Sequence, residues 1–128
     1  MRLLLDTHTL LWAAKDTLPI NARKLIEDAT NELLFSPASL WEIELKRTRL
    51  NLSPQEFHQK LLYADYRELA ITSRHVINLE KLPKHHQDPF DRILLSQAFC
   101  EHVFLLTADE TMKRYQDYLD CIIFFQAE

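Results

Sequence analysis

Glycine is missing from all 128 residues of this sequence, and its absence excludes a great deal. Phosphate-cradling loops and dinucleotide-binding turns need a residue without a side chain where backbone meets phosphate, so both are ruled out, as are flexible glycine linkers. Cysteine is scarce. Cys100 and Cys121 are the only two, with neither the CxxC spacing of a zinc site nor the density of a disulfide framework. They read as small buried hydrophobes in a reducing cytoplasm. Positive charge is not in excess either: 15 Lys and Arg stand against 19 Asp and Glu, for a formal net charge of −4. That balance argues against a basic nucleic-acid coat, while leaving room for a local basic patch. No apolar run approaches the roughly 20 residues needed to span a bilayer. "MRLLLDTHTLLWAAK" imitates a signal peptide, but Asp6 and His8 interrupt its apolar core. The expectation is a soluble, cytoplasmic protein with no membrane association.

What is present suits one compact domain over residues 1–128, since 47% hydrophobic content at this length supports a single core. Short apolar runs alternate with helical periodicity. "RLLLD" (2–6) ends a buried-strand pattern in an acid, and "TLLWAAK" (9–15) follows as a short helix. Pro19 opens a helix in which Ala22, Leu25, Ile26 and Ala29 share one face. "ELLF" (32–35) is a second strand, and "SPASLWEIELKR" (36–47) a helix with Pro37 in its first turn. Ser53, Pro54 and Glu56 open another helix with a capping box. "ELAIT" (68–72) reads as a short strand before a helix around 73–80. Past the loop "LPKHHQ" come a helix from Pro89 to about Glu101 and the strand "VFLLT" (103–107). A brief helix near Asp109 and the strand "CIIFF" (121–125) follow. Strands alternating with helices predict an α/β fold with a mostly parallel sheet covered on both faces.

In such sheets ligands gather beyond the carboxyl ends of the strands. Asp6 and Asp109 both stand at strand ends, where each has an alternative role as the cap of the next helix. Asp88, Pro89 and Asp91 form a complete helix start, yet Asp91 also shares a stripe with Leu94, Leu95 and Ala98. Glu42 likewise lies between Ala38 and Leu45. Its alternatives are a capping box with Ser39 or an i,i+4 ion pair with Lys46. Were Asp6, Glu42, Asp91 and Asp109 to converge, each pair at about 4 Å would repel by about 4 kcal/mol at an effective dielectric near 20. Several such pairs rival a whole domain's stability of about 5–15 kcal/mol. The cluster must therefore take up protons or hold a cation. Hard oxygen donors suit Mg²⁺ or Mn²⁺ rather than zinc, and such ions suit phosphodiester hydrolysis.

"LLLDTHTLLW", "SPASLWEIELK", "DPFDRILLSQA" and "LLTADE" stand in an order that resembles the PIN-domain ribonucleases over essentially the whole chain, most closely the VapC-like toxins of type II toxin–antitoxin pairs. The resemblance implies a three-layer α/β/α sandwich. It implies a Mg²⁺- or Mn²⁺-dependent endoribonuclease whose acidic quartet falls on Asp6, Glu42, Asp91 and Asp109. It implies, too, an RNA substrate, a homodimer and a cognate antitoxin. Asp88 then starts its helix, and Thr107 orients a carboxylate or water. Thr7 supports the turn beside Asp6, and Lys46 contacts a phosphate or Glu42. Related toxins carry glycines in the turns that here read "KRTRLNL" and "CEHVF", so Asn51 or His102 is expected in the left-handed region. His85 and His86 read as exposed loop residues. Trp12, Trp41, Phe90 and Phe99 read as core or dimer contacts. Lys46, Arg47, Arg49, Lys81, Lys84 and Arg92 form either basic lips for RNA or an ordinary charged surface. Two rival readings stand beside the nuclease: a phospho-accepting receiver, which would want an acidic pair where "LDTHT" has one acid, and an inactive PIN-like module that only binds or regulates.

Overall fold

The computed structural model describes residues 1–127. Its centre is a five-stranded sheet ordered β3-β2-β1-β4-β5, built from β1 (Arg2–Leu5), β2 (Glu32–Phe35), β3 (Arg67–Glu68), β4 (Phe104–Thr107) and β5 (Ile122–Phe124). Every pairing is parallel, with Leu4 opposite Leu34 on one side and Leu105 on the other. The strands are apolar throughout because both faces are covered. Leu3, Leu5, Phe35 and Leu106 face one layer, with Leu10, Ala22, Ile43, Phe57 and Leu61. Leu4, Leu34 and Leu105 face the other, with Leu94, Leu95, Ala98, Met112 and Tyr115. The first layer is supplied by α1 (Thr7–Ala14), α2 (Ile20–Glu27), α3 (Pro37–Leu45) and α5 (Pro54–Tyr63), and the second by α7 (Pro89–Glu101) and α8 (Glu110–Lys113). The result is the α/β/α sandwich that the alternation predicted. No helix among the described residues is long and apolar enough to cross a membrane.

Several boundaries differ from the sequence reading. Helix α1 begins at Thr7, not Thr9, because the Asp6 carboxylate accepts the Thr9 amide at 2.9 Å and caps it there. Helix α2 stops at Glu27, which leaves Ala29 exposed in a turn. The 36–47 helix breaks at Lys46, beyond which α4 (Arg47–Leu50) makes one turn. Strand β3 has only two residues. The Gln97 side-chain amide donates to the Leu69 and Ala70 carbonyls at 2.8 and 3.4 Å, taking the place of further strand pairing. The helix expected over 73–80 is α6 (Ser73–Ile77), passing into a 3₁₀ turn over Asn78–Lys81. Ser53 caps α5 by accepting the Glu56 amide at 3.5 Å.

Asn51 and His102 take positive φ, 49° and 56°, as the glycine-free turns require, and Asp16 and Asp65 join them. Cys100 and Cys121 are buried and unbridged. Trp41 and Phe99 are not core residues: they are 63% and 46% exposed. Trp41 instead meets Phe90 edge-on, with ring centroids 5.3 Å apart.

Candidate metal centre

The sheet order has a consequence for the acids. From β1 the chain winds outward through β2 and β3, then returns to the other side of β1 for β4 and β5. The switch in direction opens a crevice beyond the carboxyl ends of β1 and β4. Asp6 follows β1 directly and is buried at 3% exposure, while Thr107 ends β4. The Thr107 hydroxyl donates to Asp6 Oδ2 at 2.5 Å and accepts the Asp109 amide at 3.0 Å, so one buried threonine holds both strand-end acids. The Thr7 hydroxyl donates to Ser39 Oγ at 2.9 Å and pins α1 to α3. Ser39 is thereby committed elsewhere, and Ser36, not Ser39, caps α3. The capping-box alternative for Glu42 does not hold.

Glu42 lies on α3 with its side chain 5% exposed. Its Oε2 meets Lys46 Nζ at 2.7 Å, the expected i,i+4 pair. Its other oxygen, Oε1, is buried with no hydrogen-bond partner. A buried carboxylate oxygen left unpaired costs on the order of 1–3 kcal/mol or more, which is the condition a cation relieves.

Helix α7 delivers the remaining acids. Asp88 caps it, accepting the Phe90 and Asp91 amides on one oxygen at 2.8 and 3.2 Å. Asp91, in the first turn, has its pKa pushed up to about 8, chiefly by burial and then by the charges of Asp88, Asp6, Asp109 and Glu42. The acids are thus close enough to feel one another. Asp6 is also raised, by burial, against the lowering effect of its bonds to Thr107 and Thr9. Lys46 is the only lysine or arginine bridged to any of the four acids among the described residues, so the cluster is not neutralised.

His86 was read from sequence as exposed. It is not. Its Nε2 stands 2.8 Å from Asp91 Oδ2 and 3.1 Å from Asp109 Oδ2, and these ligand-capable atoms lie within 4.8 Å of one another. The Asp88 amide donates to His86 Nδ1 at 3.2 Å. With Nδ1 accepting, the ring is in the tautomer that carries its proton on Nε2 and donates it to the two carboxylates. The loop is held for this by buried Tyr115, whose hydroxyl accepts the His85 and His86 amides at 3.2 and 3.1 Å and donates to the Pro83 carbonyl at 2.5 Å. The spacing in "HHQDPFD", a histidine two residues before a capping aspartate, was the only local signal of it.

Of the cations read as either basic lips or an ordinary charged surface, Lys46 is taken by Glu42, Arg47 pairs with Glu44 at 3.4 Å, and Arg92 donates to the Leu79 carbonyl at 2.7 Å. A cleft of about 280 Å³ is walled by Asp6, His8, Trp12, Ala108 and Asp109.

A family model described as PIN domain matches residues 3–127. Solved structures of similar fold include VapBC2 from Rickettsia felis bound to a DNA fragment from its promoter, 16% identical over all of both chains with a TM-score of 0.68. A toxin–antitoxin complex from Klebsiella pneumoniae is 15% identical over 96% of this chain and 98% of that one, with a TM-score of 0.67. DNA-bound VapBC from Salmonella typhimurium is 14% identical over 100% of this chain and 99% of that one, at 0.68. Among curated proteins none matches the sequence. At these identities the structures establish likeness of fold.

Proposed function

The chain belongs to the PIN domain family, and from that membership and its carboxylate cluster we propose that it is a divalent-metal-dependent endoribonuclease, the toxin of a toxin–antitoxin pair. One observation supports the reading above the others: Asp91 on α7 feels the charges of Asp6, Asp109 and Glu42, a single lysine is bridged to these acids among the described residues, and one buried carboxylate oxygen of Glu42 has no partner. The donor set is hard oxygen and fits Mg²⁺ or Mn²⁺, held by Asp6, Glu42, Asp91 and Asp109. A bound ion of this kind supplies an activated water and offsets the charge that develops on the leaving oxygen of a phosphodiester.

The protein's own residues do the positioning. Thr107 aims Asp6 and holds the Asp109 backbone. Asp88 sets the first turn of α7, which fixes where Asp91 stands. Thr7 locks α1 against α3, and Lys46 orients Glu42. The likeness to structures named VapBC and toxin–antitoxin complex supports an antitoxin partner. In this reading residues 1–128 act as one domain in the cytoplasm, the chain dimerises with itself, and RNA is the substrate.

Asp91→Asn keeps the shape of the side chain and removes its charge. Cleavage of total cellular RNA by purified, partner-free protein with Mg²⁺ or Mn²⁺ is expected to fall at least a hundredfold in this variant. An undiminished rate would refute the assignment. The second reading, an inactive module that only binds, draws on the Lys46–Glu42 and His86–Asp91 contacts, which quiet part of the cluster. Wild-type protein that cleaves no RNA with either ion would favour it.

A further inference from the structure

The nuclease reading uses the acids but leaves the neighbouring cleft unexplained. Asp6 and Asp109 form one wall of it, and His8, Trp12 and Ala108 the others. His8 and Trp12 are one helical turn apart on α1, an i,i+4 pair that projects from the same face. Their rings lie 5.9 Å apart and tilted by 45°. Trp12 is braced from behind by Phe125, edge-on with centroids 6.3 Å apart. His8 is exposed and Trp12 half-buried. A partly open aromatic surface on the first two turns of α1 therefore lines the same cleft as Asp6 and Asp109.

We propose that this cleft is a nucleobase subsite, in which a base adjoining the scissile phosphate of single-stranded RNA stacks on the His8–Trp12 ring pair. The inference rests on the nuclease reading for its substrate and on the cleft geometry for its place. A phosphate held through a divalent ion bound by Asp6 and Asp109 would put the attached nucleoside beside the residues that share their cleft. About 280 Å³ holds one base and little more. The two rings are too close for a base to slide between them, since a sandwich needs about 7 Å. The base therefore lies against their outer surface. Every base has a π-face, so such a platform reads the presence of a base far more than its identity.

Two measurements test this independently. In the first, an oligonucleotide with a mapped cleavage site carries a single abasic nucleotide on one side of that site or the other. Wild-type protein is expected to lose about tenfold in kcat/KM at one of the two positions, the loss typical of one stacked base. His8→Ala, a change at an exposed residue, is expected to lose about as much on the intact oligonucleotide and nothing more on the abasic one. Equal further losses in both proteins, or no loss at either position, would overturn the subsite. In the second, Trp41→Phe leaves Trp12 as the only tryptophan, and its fluorescence is followed as adenosine 5′-monophosphate is added with Mg²⁺. Saturable quenching that His8→Ala weakens several-fold supports the subsite, and absence of quenching counts against it. Quenching without cleavage of any RNA would sink the nuclease reading and keep the base site. Cleavage with neither abasic penalty nor quenching would do the reverse.

Discussion

The carboxyl group of Asp91 holds its proton up to about pH 8, and the direction of that shift has a measurable effect. The unfolded chain's aspartates titrate near about 4, so between these values the folded chain binds the proton and the unfolded chain does not. Stability is therefore expected to fall as pH rises from about 4 to about 8 when divalent ions are chelated. Urea denaturation in EDTA across that range checks it, and Asp91→Asn is expected to flatten the slope. His86 belongs to the same scale. Its Nε2 stands within hydrogen-bond distance of both Asp91 and Asp109, and it links α7 to the loop after β4. His86→Ala is expected to lower the ion-free stability by about 1–2 kcal/mol. Saturating Mn²⁺ is expected to close most of that gap, because the ion takes over the same carboxylates. A deficit of equal size with and without Mn²⁺ would show that His86 acts only on packing.

At the scale of elements, the acids do two jobs at once. Asp6, Asp88 and Asp109 each accept amides at the start of α1, α7 and α8. From sequence the capping role and the site role looked like alternatives. They coexist because a carboxylate has two oxygens: Asp6 gives one to the cap and the other to the Thr107 hydroxyl, and Asp109 gives one to the cap and the other to His86. Asp88→Ala is expected to cost about 1 kcal/mol of stability through the lost cap. It is expected to reduce cleavage as well, since the first turn of α7 carries Asp91. Elements of clear period were legible, and α7 was read to its ends. Those that depart, the two-residue β3 and the 3₁₀ turn after α6, are set by side chains from elsewhere, notably Gln97. Trp41 and Phe99, read as core or dimer contacts, are exposed, so of those two roles only a dimer contact is open to them. Trp41 lies on α3 but packs edge-on against Phe90 rather than into the core.

For the whole molecule, the sheet order decides the chemistry. Residues 6 and 109 are far apart along the chain, and they come together because β1 and β4 are neighbours with their ends aligned, while Asp91 on α7 lies close enough to feel both and Glu42 as well. In the proposed reading an ion held by Asp6, Glu42, Asp91 and Asp109 would tie α3 and α7 to the two central strands and so oppose global unfolding. Mg²⁺ at about one hundred times its dissociation constant is expected to add about 2.7 kcal/mol, read as a rise in Tm. Asp91→Asn is expected to show a smaller rise, and equal shifts in the two proteins would count against a shared ion. Truncation of the core beneath the site, as in Leu94→Ala, is expected to cost about 2–5 kcal/mol, since Leu94 is fully buried against Leu4 and Leu105.

The sequence by itself determined the class of fold, the strands and helices of strong period, the left-handed turns at Asn51 and His102, and the acids worth watching. Those are local matters: periodicity, caps and backbone preference act over a few residues, and they leave their trace in a few residues. Tertiary structure alone decided that Asp91 feels the charges of Asp6, Asp109 and Glu42, that Glu42 keeps one oxygen unpaired, that His86 reaches Asp91 and Asp109 from a loop tethered by Tyr115, and that His8 and Trp12 border a cleft with Asp6 and Asp109. Each of these joins side chains far apart along the chain, and proximity of that kind is created only when the sheet closes around β1.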